Sequence, residues 1–257
     1  MKEELVQRQK SEAKFHNEKI KHIKHRQCLG DFYSLEDVSL AHKSLLRAAG
    51  DFRDKNILDY GCGVGWASLN YAMGGARQVV GMDISNVSLQ LAREKVMKTD
   101  STLPIHFTLM AGESLGLKSG SFDMVLGDSI LHHTDLFFSM PEIYRVLKKG
   151  GIAIFVEPLN HNPIISFFRR LTPWRRSLYE KPLNMDIISS FHSLFRSVQI
   201  EGYYLTAVFA LGAYLFHRSP FLLKSSLRIL ADLDSALLHT FPKLHRHCFA
   251  SVIVLRK

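Results

Sequence analysis

Residues 56–70 read NILDYGCGVGWASLN. An apolar run ends on Asp59, three glycines (Gly61, Gly63 and Gly65) follow within five positions, and a helical pattern opens at Trp66. A bend without Cβ atoms can take positive φ and lets a ligand approach the backbone closely. Strand-like runs recur at 55–59 (KNILD), 78–83 (QVVGMD), 105–109 (IHFTL), 122–127 (FDMVLG) and 151–157 (GIAIFVE). Helical patterns fill 65–73, 85–98 and about 135–147, and two more strands are expected near 197–203 and in CFASVIVLRK at 248–257. Short apolar strands alternating with amphipathic helices imply a largely parallel sheet covered on both faces. The expected fold is therefore α/β: a doubly wound, mostly parallel, seven-stranded Rossmann-like sheet with helices on both faces and a helical cap. Such sheets bind ligands beyond the carboxyl ends of their strands.

Composition sets wide bounds. The chain has 257 residues, 46% of them hydrophobic and 22% charged, with a formal net charge of +9. That length can bury one substantial core, and the charge favours anionic company. Cys28, Cys62 and Cys248 show no metal-ligand spacing, so no zinc site or disulfide frame is expected and a reducing compartment fits. The N-terminal stretch is charged from Lys2 and lacks the apolar core of a signal peptide. The most apolar run, YYLTAVFALGAYLF at 203–216, is 14 residues long, short of the ~20 a spanning helix needs. A cytoplasmic protein with possible peripheral membrane contact is expected. Three regions are drawn: a helical lid at 1–50, a ligand-binding core at 51–158, and a cap at 159–257 that includes the last two strands.

Asp83 ends the second strand about twenty residues after the glycines, where an acid can accept hydrogen bonds from ribose hydroxyls. A dinucleotide fingerprint wants a small residue at the position of Trp66, and a pyrophosphate would be repelled by Asp59. An adenosine ligand with a cationic amino-acid tail satisfies both.

Four stretches carry a resemblance: ILDYGCGVG, VVGMDIS, ESLGLKSGSFDMVLGDSILHHTD and RVLKKGGIAIFVEP. In this order over 55–158 they resemble the motifs of class I S-adenosylmethionine-dependent methyltransferases of the small-molecule (type 11) family. The resemblance implies S-adenosyl-L-methionine as cofactor, S-adenosyl-L-homocysteine as its product, and a methyl group transferred in line to a small acceptor. It implies that Asp59 and the backbone of Gly61, Cys62 and Gly63, with Gly65 shaping the turn, hold the methionine part. Asp83 would bind the ribose diol and Ile84 would pack on adenine. Where the family has an acid followed by a small residue near adenine, this chain has Ala111 and Gly112, with Glu113 next. Asp128 would shape the methionine pocket. FHNE at 15–18, with Phe15 and His16, is similar to a segment that closes over the cofactor in relatives.

Candidate bases are His133, His132 and Glu157, which follow or end strands beside the expected methyl group; histidine titrates near neutrality. His161, Arg169, Arg170 and Trp174 are candidate acceptor contacts, because guanidinium forks grip phosphate or carboxylate and tryptophan stacks on flat groups. With the apolar 203–216 run they point to a largely apolar acceptor of isoprenoid, polyketide or aromatic type. GDSILHH stands where amine-directed nucleic-acid methyltransferases carry an Asn/Asp-Pro-Pro-aromatic motif, so a nucleic-acid partner is not expected. A membrane-surface enzyme acting on a quinone or isoprenoid lipid, and a non-catalytic cofactor-binding regulator, stay open. Oligomeric state and acceptor identity are not legible.

Overall fold

The computed structural model describes residues 2–23, 40–172, 176–210 and 219–257. Its centre is a seven-stranded sheet of order β3-β2-β1-β4-β5-β7-β6. The strands are β1 (Asn56–Tyr60), β2 (Gln78–Asp83), β3 (Ile105–Leu109), β4 (Phe122–Asp128), β5 (Leu147–Pro158), β6 (Ser197–Tyr203) and β7 (Ala250–Arg256). The first five pair in parallel, and β7 runs antiparallel to both of its neighbours, β5 and β6. The order reverses between β1 and β4, which opens a crevice at their carboxyl ends.

Alternating side chains feed two cores. Ile57, Val79, Met124, Ile152 and Ile154 point to one, together with the helices α2 (Leu40–Ala49) and α3 (Trp66–Met73). Leu58, Val125, Ala153 and Phe155 point to the other, with α5 (Leu136–Val146) and α7 (Met185–Ser190). Because both faces are covered, the central strands read as unbroken apolar runs. The helix α4 (Asn86–Thr99) buries Leu89, Ala92 and Val96, and Ser85 caps it by accepting from Ser88 N–H.

Helices of both outer regions pack onto the sheet. The helix α2, assigned with the lid on sequence, buries Ala41 and Leu45 in the core beside β5 and β7 residues, so it belongs to the sheet's cover. The helix α8 (Pro220–Thr240) sends Leu223 and Leu227 into that same core. Its buried Asp234 accepts from the N–H groups of Leu205, Thr206 and Ala207, tying the helix to the chain leaving β6. The remaining helices are α1 (Lys2–Ile23) and α6 (Pro163–Leu171). Among the described residues no helix is long and apolar enough to cross a membrane.

The glycine turn joins β1 to α3, and all three glycines have positive φ: 77° at Gly61, 51° at Gly63 and 78° at Gly65. Their surroundings differ. A Cβ on Gly61 would lie 2.5 Å from Ile130 Cγ1, and one on Gly65 would lie 2.9 Å from Ala92 Cβ, whereas one on Gly63 would meet nothing within 4 Å. Gly63→Ala should therefore lose only the left-handed backbone preference, about 1 kcal/mol. Gly61→Ala adds a clash with Ile130 and should lose about 2–4 kcal/mol. Urea unfolding of the two variants checks that ranking.

Candidate active site

The crevice at the switch point becomes a cleft because α1 lies along it. Its walls include Tyr60, Gly61, Met82, Asp83, Ile84, Met110, Gly112 and Glu113 from the sheet ends, Ile130, His133 and Thr134 from the segment after β4, and Arg8, Gln9, Glu12 and His16 from α1.

The turn is locked to β2. Gly61 and Cys62 both donate their N–H to Met82 O at 2.9 Å, and Gly63 N–H donates to Asp83 Oδ2 at 2.8 Å. The other oxygen, Asp83 Oδ1, accepts from Ser85 N–H at 2.8 Å. These N–H donors are spent on the protein, so a methionine tail held by this backbone would be held through its carbonyl oxygens. A carboxylate oxygen has room for a second donor, so Asp83 can still accept from a diol. Burial raises its pKa against the two backbone hydrogen bonds.

Asp59 lies behind the turn, 3% exposed, with Ser68 Oγ–H donating to Oδ2 at 2.5 Å. Burial pushes its pKa up to about 7, with the carboxylates of Asp83 and Asp128 adding to the rise and Ser68 opposing it. Cys62 is buried and its thiol is pushed up by burial. Trp66 is 64% exposed and carries the Lys95 ammonium 3.3 Å from its ring centroid, a cation–π contact at the rim of the turn. Asp128 is exposed at the end of β4, with Ser129 Oγ 2.9 Å and His42 Nδ1 3.5 Å away. Neither Asp59, Cys62 nor Asp128 is part of the cleft wall.

The three candidate bases are separated. Glu157 is fully buried, and its Oε1 accepts from Ile130 N–H at 2.9 Å and Leu131 N–H at 2.7 Å. Its Oε2 faces His132 Nδ1 at 2.6 Å and His132 N–H at 3.4 Å. Both oxygens are thus committed to the tight turn at Leu131–His133, and Glu157 and His132 lie beneath the cleft. Glu157, a candidate base on sequence, has its oxygens taken up by its own loop, and His132, another, holds Nδ1 against that carboxylate and is not among the cleft-wall residues. His133, the next residue, is delivered to the cleft wall.

Around His133 the chain assembles groups that the sequence reading did not single out. Glu12 from α1 puts Oε2 3.1 Å from His133 Nδ1 and 3.6 Å from His16 Nε2. Ser177 Oγ is 3.3 Å from the same Nδ1. Burial depresses the pKa of His133, with Glu12 opposing and His132 and His16 reinforcing it. For Glu12 burial works upward, but the hydrogen bonds from His133, His16 and Ser177 outweigh it and hold the carboxyl well below the usual range. One carboxylate oxygen and two imidazole nitrogens of Glu12, His16 and His133 lie within 4.8 Å of one another, a donor set of a kind that can also hold a divalent metal. Glu12 was missed because a lone glutamate in a charged helix carries no signal; its spacing of four from His16 in FHNE was the available one.

The other sequence candidates lie elsewhere. Glu113 lines the cleft, but its oxygens accept from Gln9 Nε2 at 3.2 Å and Asp135 N–H at 2.9 Å. Gly112 leaves space for the Tyr60 hydroxyl, which would overlap any Cβ there. Phe15 stacks edge-on against His16 with 5.3 Å between centroids. His161 pairs its carbonyl with His247, and its own ring titrates low through burial and the neighbouring Arg246 and His247. Arg169 is half-buried and Arg170 exposed on α6, and neither is part of the cleft wall. Trp174 lies outside the described residues.

The strand order and the glycine turn make a Rossmann-like fold of the kind methyltransferases use, and residues 58–155 match the family model described as a methyltransferase domain. Among curated proteins the chain is similar to a demethylmenaquinone methyltransferase of Lactococcus lactis, 28% identical over 159 residues, 58% of this chain and 63% of that one. The chain thus spans a little under two thirds of the length of the curated relatives it matches. Among solved structures it resembles a phosphoethanolamine N-methyltransferase of Haemonchus contortus, with TM-score 0.61, 20% identity, and 84% of this chain and 52% of that chain covered. It also resembles a geranyl diphosphate C-methyltransferase of Streptomyces coelicolor, with TM-score 0.62, 12% identity, and 89% and 81% covered. At those identities the structural likeness speaks for the fold.

The buried Asp59 has a measurable consequence. In the unfolded chain an aspartate releases its proton near pH 4, whereas in the fold Asp59 keeps it to about pH 7. The folded state therefore binds the extra proton between those values, and this group lowers stability as pH rises through that window. Asp59→Asn keeps an acceptor for Ser68 without the charge. It should unfold at higher urea than the parent at pH 8, by on the order of 2 kcal/mol, with the difference closing by pH 4.

Proposed function

We propose that the protein transfers the methyl group of S-adenosyl-L-methionine to a small, largely apolar acceptor, with His133 taking the proton the acceptor loses. The observation that carries this reading is the coupling of the glycine turn to Asp83 through Gly63 N–H, beside a cleft whose opposite wall holds His133. Asp83 is the acceptor for the ribose hydroxyls, and Ile84 and Met110 are the apolar walls for adenine. Acidic groups cluster at the carboxyl ends of β1, β2 and β4, with Asp83 in the cleft wall and Asp59 and Asp128 beside it, which suits a ligand bearing an ammonium and a sulfonium.

Once bound, the cofactor supplies an already activated methyl, so the protein has to align the acceptor, exclude water and hold a proton. His133 would take the proton that the acceptor atom releases as it gains the methyl group, leaving the imidazolium to return that proton to solvent. A depressed pKa keeps that ring neutral and ready near pH 7. The relatives named as demethylmenaquinone methyltransferases favour a prenylated quinol ring as acceptor, and exposed Phe167, Phe221 and Ile229 offer apolar surface that such a lipid or its membrane could meet.

Two variants separate the roles. Asp83→Asn should weaken calorimetric S-adenosyl-L-methionine binding about 10–100-fold, the loss expected for hydrogen bonds to a charged group. His133→Asn should leave that affinity within about twofold and lower turnover of a short-chain demethylmenaquinol about 100-fold. A wild-type protein giving no heat with the cofactor would overturn the reading.

A further inference from the structure

The contact between α1 and His133 bears on how the base is made. The described helix α1 buries Arg8 and Glu12, a cation and an anion, where a packing helix would bury apolar residues. It sits on the domain through polar contacts: Asn17 Oδ1 accepts from Ser85 Oγ–H at 2.7 Å and from Val87 N–H at 3.3 Å, and Gln9 donates to Glu113. Glu12 is the deepest of its side chains, 3% exposed, and its Oε1 is buried with no hydrogen-bond partner. A carboxylate kept under-satisfied in a cleft is costly. Its other oxygen faces His133 Nδ1 at 3.1 Å.

An ionised carboxylate only accepts hydrogen bonds, so the imidazole must donate from Nδ1 and carry its lone pair on Nε2. We propose that Glu12 is the positioning residue for His133: it fixes the Nδ1–H tautomer, and because it rides on α1, the base is completed only when that helix is seated over the cleft. This inference rests on the reading of His133 as the acceptor-side base. His133 is then held from two directions. From the sheet, Glu157 fixes the turn through Ile130, Leu131 and His132; from the lid, Glu12 fixes the ring. Proton transfer to Nε2 makes an imidazolium whose Nδ1–H already faces an anion, so the charge formed in the transition state is met without reorganisation. The groups that face the ring are Glu12 and His16 of α1, His132 of the same turn, and Ser177 and Glu180 of the segment after α6.

Long-range ¹⁵N–¹H NMR of the histidine rings, on the full chain saturated with S-adenosyl-L-homocysteine, tests this without an acceptor. In the wild type His133 should be the Nδ1–H tautomer; an Nε2–H tautomer would overturn the inference, and that reading needs no variant. In Glu12→Gln the His133 pKa should fall by about one pH unit, as expected for removing an adjacent opposite charge, with Nε2–H tautomer appearing; Glu12→Asp should recover part of both. An unchanged tautomer and pKa in Glu12→Gln would sink the proposal. So would one equivalent of zinc that survives dialysis in the wild type and is lost in Glu12→Gln, since the cluster would then be a metal centre. If His133→Asn keeps its turnover, the base reading itself fails; if it loses turnover while Glu12→Gln leaves the ring unchanged, only the positioning role fails.

Discussion

The buried carboxylate of Glu157 is the contact on which the His133 wall of the cleft depends. Placed at the end of β5, it collects Ile130 N–H, Leu131 N–H and the His132 ring, and so bends the chain leaving β4 into a tight turn. Ser129 enters that turn with a left-handed backbone, φ 56°, and donates its N–H to Val156 O. A single fully buried anion with several donors is stable because its hydrogen bonds replace the water it lost. Removing one partner would leave an uncompensated charge in the core. The position of His133 follows from this pairing, and so does that of Ile130, whose side chain fills the space above Gly61.

The donor side is built on the opposite principle. There the carboxylates of Asp59, Asp83 and Asp128 stand near one another, and burial raises the pKa of the first two. Such an arrangement is a poor way to stabilise a fold and a good way to receive a cation, whose charge offsets the repulsion. The glycine turn completes it by spending the N–H groups of Gly61, Cys62 and Gly63 on Met82 and Asp83.

Between these two halves lies α1. Its buried side chains are charged, and its contacts are hydrogen bonds to Ser85, Val87 and Glu113. Hydrogen bonds of this kind contribute about 1 kcal/mol each, so α1 is held to the domain less firmly than a helix that buries an apolar face. The core proper gains little from α1; the sheet and its covering helices carry the stability.

Much of this was legible in the residues. The strand and helix periods, the glycine spacing and Asp83 announced a doubly wound sheet with a cleft at its switch point, because backbone freedom and burial are local properties of sequence. Trp66 and Asp59 already argued against a pyrophosphate. What the chain could not announce was which of its acids and histidines face inward. His132 and His133 are adjacent and chemically alike, yet one pairs with Glu157 under the turn and the other reaches the cleft. Glu12 and His133 are over a hundred positions apart and meet because α1 folds back across the sheet ends. Local sequence determined the scaffold and the cofactor-side turn; tertiary packing decided the acceptor side, since the direction of a buried polar side chain is set by the partner it finds and not by its neighbours in the chain.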